Sequence, residues 1–132
     1  MEVYNITDKG VSVGQQSSVN ISNSIFVNCN LGAGLKDSSR VTIDHCTYYG
    51  NGTSVATYEK NAGDAGGNVV VINSILSNTY DASFSADAMS TLKISYSASD
   101  NDSLPTGKNN LFVNPKFVNP NLFDFSLASN SA

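Results

Sequence analysis

The chain has 132 residues, of which 14% are charged and 40% hydrophobic, and its formal net charge at pH 7 is −4. This length predicts one domain. The acidic balance argues against nucleic acid or an anionic membrane surface as a partner, because both attract clustered Lys and Arg. No apolar run is long enough to insert into a membrane as a helix. Abundant Asn, Ser and Gly favour short strands and tight turns over helices.

A repeat of about 22 residues runs through the chain. Residues 19–26, 41–48 and 69–76 match one another, residues 92–99 fit the same frame more loosely, and the starts are 22, 28 and 23 residues apart. That period is too short for a pair of helices and fits one coil of a solenoid, in which each coil buries its apolar face only against a neighbour. We therefore predict a single all-β domain over residues 1–132, with about five coils.

Each coil is predicted to contain three short strands, because apolar and polar residues alternate in three places per repeat. The first strands are residues 11–13, 33–35, 55–57 and 82–84. The second strands are residues 19–21, 41–43, 69–71 and 92–94. Successive side chains of a strand point to opposite faces. The second strands should therefore bury two stacks of side chains, which are Val19, Val41, Val69 and Leu92, and Ile21, Ile43, Val71 and Ile94.

The third strand of each coil aligns like residues in two columns. One column holds Ser24, Cys46, Ser74 and Ser97. The next, which should point inward, holds Phe26, Tyr48, Leu76 and Ser99. Cys46 is thus interpreted as a small buried residue. Cys29 occupies a non-equivalent position in its own coil, and disulfide geometry is demanding, so we favour free thiols.

A Gly-rich segment explains the longer interval between Val41 and Val69. Residues 60–68 are interpreted as a loop inserted at one corner of the solenoid. Insertions into solenoids map to one face, which is often the binding face.

These repeats resemble the right-handed parallel β-helix proteins, a group that includes pectate lyases. The tail resembles the closing segment of such helices, in residues 110–120 and 124–127. The resemblance implies a right-handed β-helix and an extracellular or cell-surface location. The abrupt start at Val3 and stop at Ala132 further suggest the C-terminal piece of a longer β-helix, with an incomplete last coil.

Charged residues align at the end of the first strands. Gln15, Asp37 and Glu59 occupy equivalent positions, and these neighbours follow the same frame: Lys36, Tyr58 and Lys60. We predict a ligand site at Lys36, Asp37, Tyr58, Glu59 and Lys60, with Asp37 and Glu59 able to hold Ca²⁺. In the resembled lyases, Ca²⁺ on acidic side chains acidifies a uronate proton that a basic side chain removes. The alternative interpretation is a set of solvated ion pairs at a coil corner.

Histidine and tyrosine are the other residue types of this chain with side chains suited to chemistry or binding. His45 is the only histidine, aligns with Asn23 and Asn73, and is interpreted as a structural corner residue, which excludes a multi-histidine site in this chain. Tyrosines offer a sugar-stacking surface, mainly through Tyr49 and Tyr58.

Three function classes follow from these observations. The leading one is a carbohydrate-associated module that binds, or once helped to process, an extracellular polysaccharide. The others are a small lyase or hydrolase and a structural or assembly module without a small ligand, since the same coils carry all of these functions. Whether the chain is an enzyme is left open. Exposed strand edges at both ends of the solenoid also predict self-association.

Overall fold

The computed structural model describes residues 1–101, 104–105 and 108–132. Short strands make up most of this part of the chain, and its one helical turn is a 3₁₀ segment, Pro120–Leu122. The strands are β1 (Glu2–Tyr4), β2 (Lys9–Val13), β3 (Ser18–Ser22), β4 (Ile25–Val27), β5 (Leu31–Lys36), β6 (Arg40–Asp44), β7 (Thr47–Tyr49), β8 (Thr53–Tyr58), β9 (Asn68–Ile72), β10 (Ile75–Ser77), β11 (Ala82–Ala86), β12 (Thr91–Ser95), β13 (Ala98–Ser99), β14 (Leu111–Phe112), β15 (Phe117–Asn119) and β16 (Asp124–Leu127).

The strands stack into three parallel sheets. Sheet I contains β2, β5, β8 and β11, and sheet II contains β3, β6, β9 and β12. Sheet III contains β1, β4, β7, β10, β13 and β14. The chain visits sheets I, II and III in turn, which gives four complete coils with an additional sheet III strand at each end. The predicted parallel β-helix is confirmed.

The register of sheet II follows the prediction. Val19, Val41, Val69 and Leu92 form one column, and Ile21, Ile43, Val71 and Ile94 form another. The central members are completely buried, with Ile43 and Val71 each 0% exposed. Identical or similar apolar side chains thus lie one coil apart, about 4.8 Å, and exclude water from the axis of the solenoid.

The predicted alignment of the fourth first strand is wrong by two residues. Phe84, rather than Ala82, pairs with Val55, while Ala82 pairs with Thr53. Phe84 packs against the core. The three-residue pattern did not reveal this shift, because small and apolar residues alternate through the whole of β11.

Sheet III confirms both predicted columns. The rings of Phe26 and Tyr48 stack with centroids 4.8 Å apart and an interplanar angle of 9°. In the neighbouring column, the Cys46 amide donates to Ser74 Oγ over 3.1 Å, and the Ser74 amide donates to Ser97 Oγ over 3.1 Å. Cys46 is buried in this serine column, and both cysteines are free thiols.

The corner between sheets II and III is a single residue in the left-handed backbone region. Asn23, His45 and Asn73 occupy it with φ of 49°, 53° and 52°. The structural interpretation of His45 fits this geometry, since asparagine adopts such a conformation more readily than most residues. His45 Nδ1 lies 2.7 Å from Asp44 Oδ1 at the solvent-exposed corner.

The C-terminal tail folds back over the side of the solenoid. Strands β15 and β16 form an antiparallel hairpin, and its Phe117 and Phe125 rings contact the Tyr49 ring at centroid distances of 5.8 and 5.3 Å. Tyr49 is next to inward-facing Tyr48, so the hairpin covers the outer face of sheet III. The Tyr49 ring, which its coil position suggested for sugar stacking, is therefore in contact with aromatic residues of the chain itself.

Candidate functional site: a lysine cleft at the corner between sheets I and II

The predicted site lies at the corner where the chain leaves sheet I for sheet II. Lys36 ends β5, Tyr58 ends β8, and the two residues are paired in register. Lys36 also bridges to Gly66, at the far end of the inserted loop. The coil repeat thus brings these residues to one corner, as the sequence spacing indicated.

Asp37 anchors the loop from the inside. It is only 2% exposed, and its backbone is left-handed, with φ of 50°. Oδ1 accepts the amides of Lys60 and Asn61 over 2.8 and 3.0 Å, and Oδ2 accepts Asn61 Nδ2 over 3.0 Å. A buried carboxylate with three such donors is well satisfied as an anion.

Glu59 holds the other side of the loop. Its Oε1 accepts the Gly63 amide over 2.6 Å and the Ala65 amide over 3.3 Å. Both proposed Ca²⁺ ligands therefore already bind loop donors. The described residues contain no group of three or more His, Cys, Asp or Glu able to share a metal ion. A cation at Asp37 and Glu59 would thus need backbone carbonyls and water to complete its shell of six to eight oxygens.

The lysines provide the positive charge of the corner. Lys36 Nζ donates to Ser12 Oγ over 2.5 Å. Partial burial lowers the pKa of Lys36, and the positive charges of Lys60 and Lys9 lower it further. Lys9 is paired with Asp8 at 2.5 Å, whereas neither Lys36 nor Lys60 forms an ion pair with any described residue. The alternative interpretation of the corner as ion pairs, Lys36 with Asp37 and Glu59 with Lys60, therefore does not match the contacts of the described residues.

A small open cleft of about 190 Å³ lies at this corner and is lined by some of the predicted site residues. Its lining consists of Gly14, Gln15, Lys36, Asp37, Lys60 and Asn61. We call the depression formed by these six lining residues the lysine cleft. Tyr58 and Glu59 lie outside it. Sequence reasoning did not include Asn61 in the site. Its position directly after Lys60 in the inserted loop was the available signal.

Gly14 shapes one wall of the lysine cleft. A Cβ at Gly14 would lie 3.1 Å from Lys36 Cγ, so the missing side chain lets the Lys36 stem lie flat along the first coil. The lining thus includes two lysines beside the amides of Gln15 and Asn61, and the Lys36 ammonium reaches Ser12, which lies outside the lining. This combination suits an oxyanion better than a neutral or cationic group.

Comparison with known proteins gives the family. No helix among the described residues is long and apolar enough to span a membrane. No curated protein and no solved structure matches the chain. The family model described as "right handed beta helix region" matches residues 1–124. Together with the three stacked parallel sheets, this match shows that the chain belongs to the right-handed β-helix family.

Proposed function

We propose that this β-solenoid module binds an acidic polysaccharide through the lysine cleft. The observation that carries the proposal is the pair of unneutralised ammonium groups, Lys36 and Lys60, on a chain with a net charge of −4. The positive charge of Lys60 disfavours the charged form of Lys36. An anion bound between the two lysines would offset this repulsion. An extracellular or cell-surface location follows from that class of ligand.

Direct contact between lysine and uronate carboxylate is the proposed mode. Asp37 and Glu59 use their oxygens to hold the loop, so they position Lys60 and Asn61 rather than the ligand. The loop amides of Lys60, Asn61 and Gly63 already donate to Asp37 or Glu59. The lysine ammonium groups are therefore the strongest donors available to a ligand. Tyr58, in register with Lys36, would then flank the bound sugar rather than contact the anion.

Binding should depend on the two cleft lysines. A Lys36→Ala, Lys60→Ala double variant is expected to bind uronate oligosaccharides at least about tenfold more weakly than the parent, a loss of about 1.4 kcal/mol. Isothermal titration calorimetry measures this directly. The parent affinity should also fall as salt is raised, because the cleft is open to solvent.

The matched control is a Lys93→Ala, Lys108→Ala double variant, which removes the same charge from exposed positions elsewhere. It should bind like the parent. Loss of parent binding after calcium is chelated would instead favour contact through Ca²⁺ held by Asp37 and Glu59. Equal binding by parent and cleft variant, or binding by neither, would favour the structural or assembly role.

That second role rests on the ends of the solenoid. At the N-terminal end, β1, β2 and β3 each pair on one side only, and Val3, Val11 and Val19 are only partly buried against the core. At the opposite end Leu104 is buried in the core cluster, but Phe84 and Leu92 are also only partly buried against it. A second copy could therefore contact either end face, and Val19 probes the N-terminal one.

Self-association is expected to be visible by light scattering as a mass that rises with protein concentration. Val19→Lys should shift the protein toward monomer, because it places a charge on the partly buried N-terminal face. Circular dichroism of the same sample checks that the strands persist. A parent that stays monomeric at every concentration would contradict this role for the ends.

A further inference from the structure

A second depression lies at a different corner, where the chain passes from sheet III to sheet I. It has a volume of about 500 Å³ and draws its lining from four successive coils. The residues that the argument uses are Asn28, Asn30, Gly50, Gly52, Tyr80 and Asp81. We call this depression the tyrosine notch. It shares no residue with the lysine cleft.

The notch exists because one coil lacks side chains at this corner. Asn30, Gly52 and Tyr80 follow one another on successive coils: the Gly52 amide donates to the Cys29 carbonyl over 2.9 Å, and the Tyr80 amide donates to the Asn51 carbonyl over 3.0 Å. Asn30 and Tyr80 are therefore two coil steps apart, roughly 10 Å. Gly52 forms the floor between them.

The backbone keeps that floor bare. A Cβ at Gly52 would lie 2.5 Å from the Asn30 carbonyl oxygen, and one at Gly50 would lie 2.6 Å from Asn28 Oδ1. Gly50 also has φ of +64°, a conformation that glycine adopts at little cost. The backbone thus excludes larger residues at Gly52, whereas at Gly50 the close contact is with a movable side chain. The gap at Gly52 is a fixed property of the fold.

The walls carry a defined set of groups. Tyr80 is 77% exposed, which leaves its ring available on one wall, and Asp81 lies beside it. The Tyr80 hydroxyl, the Asp81 carboxylate and the Asn30 amide form no side-chain hydrogen bond with other described residues. An apolar ring face next to free amide and carboxylate groups can bind a molecule that has both C–H faces and hydroxyl groups.

We propose that the tyrosine notch binds one uncharged sugar ring of a glycan. The ring would stack on Tyr80, and its hydroxyls would donate to Asp81 and exchange hydrogen bonds with Asn30. The notch contains one carboxylate and no Lys or Arg, so an acidic sugar would meet repulsion there. This specificity is opposite to that of the lysine cleft, and the notch proposal stands whether or not the cleft binds uronates.

The test uses neutral oligosaccharides of glucose, galactose, mannose and xylose, with binding followed by amide chemical shifts. At least one of them should shift the Gly50 and Gly52 signals of the parent. Tyr80→Ala should weaken that binding by about tenfold or more, whereas Tyr80→Phe should retain it. Tyr96→Ala is the matched control, since Tyr96 is also exposed but lies at another corner.

The cleft variant separates the two proposals. Lys36→Ala, Lys60→Ala should leave neutral-sugar binding unchanged, and Tyr80→Ala should leave uronate binding unchanged. The notch proposal is overturned if no neutral oligosaccharide shifts Gly50 or Gly52 at millimolar concentration. It is equally overturned if Tyr80→Ala binds as tightly as the parent.

Discussion

Ile43→Asp is expected to unfold the protein. Ile43 is 0% exposed and sits in β6, between Ile21 on one neighbouring coil and Val71 on the other. An aspartate there would place a carboxylate in an apolar stack, where it would either stay charged without a partner or take up a proton. Either outcome costs several kcal/mol, which is a large part of the stability of a domain this size. Thermal melting followed by circular dichroism measures the loss.

Thr42→Asp is the matched control for this variant. Thr42 is the adjacent residue in β6, belongs to the outer face of sheet II and lines an open groove there. The same new charge should therefore remain solvated and change the melting temperature by only a few degrees. If Ile43→Asp melts within a degree of the parent, the register of the stacks is wrong.

Asn51→Leu is expected to cause the second large loss of stability. Asn51 is 0% exposed, and its amide is bonded at both atoms: Oδ1 accepts the Cys29 amide over 2.8 Å, and Nδ2 donates to the Phe26 carbonyl over 3.0 Å. Leucine has a similar size but would leave the buried Cys29 amide without its acceptor and would remove the added bond to the Phe26 carbonyl. A buried backbone amide without a partner costs about 1–3 kcal/mol, so denaturant unfolding should show a marked fall in midpoint.

Asn20→Leu provides the comparison for that measurement. Asn20 is an exposed residue of β3, so the same substitution leaves no backbone group without a partner and should change stability by no more than about 0.5 kcal/mol. A similar effect of both substitutions would show that the amide of Asn51 is not a structural bridge between coils.

The repeat explains why sequence alone predicted most of the fold. In a solenoid each coil packs on a neighbour with a similar sequence. The repeat that contains Val41 and Ile43 therefore also predicts which residues pack above and below them. The same logic fixed the columns of Phe26 and Tyr48, and the corner position of His45. It failed at Phe84, where the coil spacing changes and several registers of a short apolar strand fit equally well.

The repeat predicted only part of the candidate site. The coil period determined that Lys36, Asp37 and Lys60 meet at one corner. Only the tertiary structure decided that Asp37 points inward to hold the loop while Lys36 and Lys60 remain unpaired, because an inserted loop has no neighbour in sequence from which its path can be read. Tyr49 shows the same limit, since its coil position predicts an outward ring and only the fold places the C-terminal hairpin over it. Sequence thus determined the contacts between adjacent coils, and tertiary structure decided the contacts made by segments outside the repeat.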